Sequence, residues 1–411
     1  MPKKGTVVVI GGGAAGFFAA VTSARSNPDL EVIILEKSGK LLSKVRVSGG
    51  GRCNVTHSCF DPIELSKFYP RGSRELLGPF HIFSPTDTIT WFKDRGVELK
   101  TEADGRMFPI TDQSSTIVDC LMNEAEKLGV AITMNSTVVS IQKLEDGRIK
   151  IQMNDEKEII ANKLIIASGG SPTLKGFNCL SGSGHTIIEP VPSLFTFNMP
   201  DNPITSLMGV SVESVEVKIA GTKFISEGPL LITHWGMSGP AILKLSSIAA
   251  RKLSDCEYQF SIFVNWLNQF NEEDIRIRLQ DLRTELAKKK LLTSNPFQLP
   301  KRLWEHLVTK VIKEPEQEWA QVNNDSIRKL SKVLVADEYP VNGKTTFKEE
   351  FVTCGGVRLK EIDFKTMQSK LIPGLYFAGE ILDIDAITGG FNFQAAWTTG
   401  FIAGKSAALS E

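Results

Sequence analysis

No stretch of this sequence is apolar for long enough to cross a bilayer as a helix, which takes about 20 residues. Neither sign of charge dominates. Lysine plus arginine and aspartate plus glutamate number 47 each, so no global field draws the chain to nucleic acid or to an anionic membrane. Cysteine is sparse and unpatterned: Cys53, Cys59, Cys120, Cys179, Cys256 and Cys354 form no CxxC pair. That excludes a disulfide framework and a thioredoxin-type motif, and it fits reduced thiols in the cytoplasm. The five histidines do not cluster with the cysteines, so no metal is expected. Internal repeats, low-complexity tails and a hydrolytic triad are also missing. The opening MPKKGTVVVIGGG reads as a strand ending in glycines rather than a leader, because it has no small-residue cleavage site. What remains is an ordinary globular composition, 42% hydrophobic and 23% charged, in 411 residues, enough for two domains.

Against that background one stretch stands out, Val7 to Gly16, VVVIGGGAAG. A β-branched run ends in Gly11-x-Gly13-x-x-Gly16, and an apolar helical segment follows from Phe17 to Ala24. This is the strand, tight turn and helix start of a dinucleotide-binding unit. The first glycine permits the turn, the second lets the backbone approach a pyrophosphate, and the third lets helix and strand pack closely. The helix start offers unpaired N–H groups and a positive dipole end to the phosphates. A second strand, 31–35, runs into Glu36, 20 residues beyond Gly16 (36 minus 16). A carboxylate there accepts from ribose hydroxyls and repels a 2′-phosphate.

Downstream, Lys37, Lys40, Lys44 and Arg46 precede Gly49-Gly50-Gly51-Arg52. Three glycines let a flat ligand approach the backbone. Arg52 is expected on a phosphate or stacked on a ring, and Cys53 is a candidate redox thiol without a resolving partner. Residues 61–100 read as amphipathic helix. Asp112 to Ser115 read as the cap of a helix over 116–128, and 163–167 as a buried strand entering Ser168-Gly169-Gly170. Prolines at 190, 192, 200 and 203 mark a crossing between domains. The first part of the nucleotide domain is therefore expected over 1–190. An inserted domain follows over 191–335, β-rich in 191–270 and helical in 271–335, and 336–411 returns to the first domain. The insertion carries an unusual loop, Thr233 to Pro240, before a helix over 241–252. Near the end, a strand delivers Gly379 and Glu380 to a ligand edge, and a long helix runs from Phe391 to about Leu409 behind Gly389-Gly390. The fold class is α/β.

GGGAAG, SGGGRCN, THWGMSGPAIL, VTCGGV and GLYFAGEILDIDAITGGFNFQAAWTTG lie at both ends and in the middle of the chain. Together they resemble the HI0933-like flavoprotein family, also described as BaiN-like or YhiN-like and as aminoacetone-oxidase-type proteins. The resemblance implies a Rossmann-like FAD-binding domain built from both chain ends, an inserted β-rich plus helical second domain, and non-covalent FAD. It implies that Gly11, Gly13, Ala14, Ala15 and Gly16 surround the pyrophosphate, with Glu36 on the adenosine ribose. Lys37, Gly51, Arg52, Cys53 and Asn54 would line the flavin side, and Val138 would meet the adenine with Ser168 and Gly169 near by. Gly379, Glu380, Asp385, Gly390, Asn392 and Phe393 would hold the ribityl chain and the isoalloxazine.

The activity implied is FAD-dependent reduction of an activated C=C bond, as in conjugated enones of 3-oxo bile acids. Reduction of a ribosomal RNA uridine to dihydrouridine and oxidation of aminoacetone are the alternatives. Both reductions put hydride on the β carbon of an α,β-unsaturated carbonyl, so one site chemistry serves either. A small-molecule substrate is expected. Ribosomal RNA as a partner rests on the basic residues of 276–332 alone. No second GxGxxG follows a strand in the insertion, so NAD(P)H is expected only as a transient electron donor. His234 and Asp385 are the candidates for the catalytic polar groups.

Overall fold

The computed structural model describes residues 3–346 and 352–410. Contacts divide the chain into two units, Met1–Ser193 with Lys348–Glu411, and Leu194–Phe347.

In the first unit, GTVVVI forms β1 (Gly5–Ile10), with Val7, Val8 and Val9 fully buried. Branched side chains covered on both faces are what a central parallel strand requires. The helix α1 (Ala14–Ser26) follows, then β2 (Leu30–Leu35), β3 (Ala131–Thr133), β4 (Lys163–Ile166) and β5 (Leu375–Phe377). These five strands are parallel in the order β5-β4-β1-β2-β3, and two short antiparallel strands, Gln368–Ser369 and Ile362–Asp363, extend the sheet beyond β5. The register sets Ile10 level with Leu35 and Ile166, Leu35 with Thr133, and Ile166 with Phe377. All five strands therefore stop on one edge, and whatever follows each of them collects there. This is the ligand edge of an open parallel sheet. A three-stranded antiparallel meander, Val138–Lys143, Ile149–Met153 and Glu158–Ala161, carries the chain from β3 to β4.

The terminal helix, Phe391–Leu409, lies against α1. Glycines set the approach. A Cβ on Gly400 would come 2.7 Å from the Ala15 carbonyl oxygen, and one on Gly404 would come 2.3 Å from that of Ala19. The Ser23 hydroxyl donates to the Gly404 carbonyl at 2.9 Å. The two ends of the chain thus share one core.

The second unit is a seven-stranded antiparallel sheet with helices packed on it. Its strand order is Asp337–Asn342, Gln259–Asn265, Ser211–Ile219, Ile225–Thr233, Gly236–Ser238, Thr196–Asn198, Lys344–Thr345. The helices Glu272–Glu285, Lys301–Val311 and Asn324–Val335 close a core around Trp266, Trp304 and Trp319. Three local expectations need correction. Asp337–Asn342 pairs with Gln259–Asn265, so this sheet continues past residue 335, the expected end of the insertion. The helix expected over 241–252 is two, Pro240–Ile248 and Ala250–Asp255, joined at Ala249, which leaves helical geometry. The helix Ser114–Lys127 starts without a side-chain cap, because the Asp112 carboxylate meets Lys100 and Arg52 instead. Among the described residues no helix is long and apolar enough to cross a membrane.

Candidate functional site

The glycines of the first turn do different work. Gly11 has φ +113°, and a Cβ there would lie 2.3 Å from the Ala167 carbonyl oxygen. A Cβ on Gly16 would lie 1.9 Å from the Gly11 carbonyl oxygen. Both positions admit only glycine. Gly13 is extended, at φ −95°, with nothing within 4 Å of where its Cβ would be. Gly11 N–H donates to Leu35, Gly12 N–H to the Glu36 carboxylate at 2.7 Å, and Phe17 N–H to Gly13. The N–H groups of Gly13, Ala14, Ala15 and Gly16 have no acceptor among the described residues, and no side chain caps α1. An uncapped helix start beside open space is an anion site, and it fits a pyrophosphate.

Glu36 accepts from Gly12 N–H and, at 2.8 Å each, from the N–H and the hydroxyl of Ser38. A carboxylate has about four acceptor positions, so roughly one remains for a ribose hydroxyl. Ser136 N–H donates to the Glu36 carbonyl, which brings the lead-in to Val138 alongside; Lys37 is exposed. After β4, the Ser168 hydroxyl is buried without a partner among the described residues, where Gly169, at φ +76°, also has nothing within 4 Å of its Cβ position. After β5, Gly379 N–H donates to the Thr399 hydroxyl, and a Cβ there would lie 2.7 Å from that of Ala15. Glu380 accepts from Thr353 N–H at 2.8 Å and from Lys44 at 2.6 Å.

A second uncapped helix start belongs to the terminal helix. Gly390, at φ +91°, gives its N–H to the Asn54 amide oxygen at 2.9 Å, and the same amide donates to the Thr56 carbonyl. Asn392 clasps Ala386 through both its N–H and its carbonyl, and Phe393 stacks on Trp397. The N–H groups of Thr388, Gly389, Phe391, Asn392 and Phe393 have no acceptor among the described residues.

Other expected site residues behave differently. Gly51 is exposed in a left-handed conformation. Arg52 stacks on Phe108 at 4.0 Å and pairs with Glu102 at 2.6 Å, so its guanidinium is committed to its own chain rather than to a phosphate. Cys53 is fully buried, and burial pushes its thiol up to about 12, which removes it as a redox nucleophile. Iodoacetamide is expected to label Cys59 and Cys256, the two partly exposed thiols, and to reach Cys53 only on unfolding. Rapid native labelling of Cys53 would contradict its placement. Asp385 is wholly buried, with both oxygens held by Arg71 and Ser193, so it cannot deliver a proton to a substrate from there. His234 lies in the second unit, exposed on the two-residue turn between Thr233 and Gly236, with its ring edge-on to Trp235.

Sequence reasoning missed the buried polar residues that hold the terminal helix. Gln394 accepts from the hydroxyls of Thr56 and Thr88 and donates to that of Thr398, and the Tyr69 hydroxyl donates to the Phe391 carbonyl. Thr56, Tyr69 and Thr88 lie hundreds of residues before this helix, and no local pattern marks them.

Two bare helix starts on one sheet edge suit an extended dinucleotide whose two ends need separate holds. In class the chain is an FAD-dependent oxidoreductase. It belongs to the family described as HI0933-like protein Rossmann domain, which matches residues 5–406. It is 29% identical to the 3-dehydro-bile acid delta(4,6)-reductase of Clostridium scindens over 97% of this chain and 98% of that protein. It is 31% identical to the ribosomal RNA dihydrouridine synthase of Escherichia coli over 96% of each. Among solved structures, the 3-ketosteroid-delta4-(5alpha)-dehydrogenase of Rhodococcus jostii shares the fold, with a TM-score of 0.51, 15% identity and coverage of 99% and 98%.

Proposed function

We propose that this protein reduces a carbon–carbon double bond conjugated to a carbonyl, with NAD(P)H as electron donor and an enone of the 3-oxo steroid or bile-acid type as substrate. The observation that carries this reading is the full-length likeness to the bile-acid delta(4,6)-reductase. A dihydrouridine synthase of equal likeness saturates a double bond of the same electronic kind. Bound flavin would supply the hydride. The chain's own residues would do the rest. Gly13 to Gly16 bind the pyrophosphate through backbone N–H groups, and Glu36 accepts from the ribose. The bare N–H groups of Thr388, Gly389, Phe391, Asn392 and Phe393 meet the negative charge that the pyrimidine end gains on reduction. His234 is proposed as the polar group that serves the substrate.

Anaerobic reduction followed by reoxidation tests the proposal, with enones, oxygen and ribosomal RNA offered as acceptors, and aminoacetone offered separately as a donor to the oxidised flavin. Fast, salt-indifferent reoxidation by an enone is expected, and His234→Ala should keep the flavin while slowing that step. Reoxidation by RNA alone, with an affinity that collapses as salt rises, would replace this reading with the dihydrouridine one.

A further inference from the structure

We infer that Arg71 and Ser193 are positioning residues for the cofactor, acting through Asp385 on the segment that leads into the terminal helix. The inference rests on the FAD assignment and not on the substrate.

Asp385 is wholly buried. Arg71 grips it with a two-pronged fork, Nε to one carboxylate oxygen and Nη2 to the other, and the Ser193 hydroxyl donates to it at 2.6 Å. The two backbones also bridge at Arg71 and Asp385. Burial pushes the Asp385 carboxyl above its ordinary value, and Arg71 opposes that shift. A buried ion pair of this kind adds little net stability over a well-packed apolar pair, so its presence points to what it fixes.

What it fixes is short. Asp383 N–H donates to Val357, Ala386 is clasped by Asn392, Ile387 N–H donates to Phe68, and Gly390 N–H to Asn54. A Cβ on Gly72, next to Arg71, would lie 2.6 Å from Ile384. The segment is pinned on both sides, while Thr388 and Gly389 and the first turn of the helix keep bare N–H groups. Asp385 is held by an opposite charge. Pinning of this form presents N–H groups in a fixed direction at no reorganisation cost when negative charge arrives.

The test compares the double variant Arg71→Met/Asp385→Leu, which removes both charges of the pair, with Arg71→Lys. Glu124→Gln serves as a control: it breaks another buried pairing of this unit, with Arg25 and Arg95. The readouts are FAD affinity by fluorescence titration, flavin midpoint potential by photoreduction against a reference dye, and melting temperature. The double variant is expected to favour oxidised over reduced flavin by about tenfold more than the parent, a shift of about 30 mV to more negative potential for two electrons. Arg71→Lys should fall in between, keeping the charge and losing the fork. Glu124→Gln should melt earlier with its potential unmoved. A folded double variant with parental affinity and potential would overturn the inference, as would the same shift in Glu124→Gln. Parent protein that takes up no FAD would bring down the cofactor reading as well.

Discussion

Gly13→Val is expected to yield a colourless protein that folds as the parent does. Its backbone, at φ −95° and ψ −170°, is one that β-branched residues adopt readily, and nothing lies within 4 Å of the new Cβ. The added methyls enter the space beside the bare N–H groups of residues 13–16, where the pyrophosphate is assigned. Losing two hydrogen bonds to a charged group, at about 1.5 kcal/mol or more each, weakens FAD binding by roughly a hundredfold. The checks are flavin absorbance on purification, an FAD titration, and an unchanged melting temperature for the cofactor-free form. A yellow variant with parental affinity would remove the phosphates from this helix start. Glu36→Arg is also expected to lose flavin, but less cleanly, because Glu36 holds Gly12 and Ser38 by three hydrogen bonds.

The contrast between Gly13 and its neighbours shows what local sequence can carry. The strand, turn and helix of 5–26 were legible because the β-branched run, the glycine spacing and the apolar helical segment all fall within one short stretch. The terminal helix was legible from end to end for the same reason, since Gly389-Gly390 announce its start and a largely apolar segment follows. Asp337–Asn342 was not, because its alternating buried and exposed residues suit either unit until its partner strand, Gln259–Asn265, is known. Arg52 could be read as meeting a phosphate or stacking on a ring, because the residues that occupy it, Glu102 and Phe108, lie some 50 residues away. Asp385 looked catalytic for the same reason: Arg71, 314 positions earlier, turns an exposed-looking acid into a buried counter-ion. Glycine spacing is written locally. The pairing of charges and buried amides belongs to tertiary structure.

Gly404→Leu is expected to destabilise the first unit by about 3 kcal/mol or more, at the upper end for overpacking a close contact. Leucine is the better helix former, so intrinsic propensity alone would make the change favourable by under about 1 kcal/mol. Packing reverses that sign. The new Cβ would meet the carbonyl oxygen of Ala19 at 2.3 Å and its Cα at 3.0 Å, and these are backbone atoms that no rotamer change can move. The helix α1 cannot retreat, because Val7 to Val9 fill the sheet beneath it and Phe17 to Val21 are fully buried. Gly78 supplies the opposite case. It sits in the helix Ser73–Ile82 with nothing beyond its chain neighbours within 4 Å, but Pro79 follows and disfavours helical geometry for a residue with a Cβ, so Gly78→Ala should stay within about 1 kcal/mol of the parent. Urea unfolding followed by intrinsic fluorescence measures both, and equal midpoints for the two variants would refute the close approach of the two helices. The consequence reaches the site, because the helix that Gly404 seats against α1 presents its first N–H groups, beginning at Phe391, at the other end. Gly404→Leu protein that still folds should therefore hold flavin less tightly, although the substitution lies 13 residues along the helix (404 minus 391) from those groups.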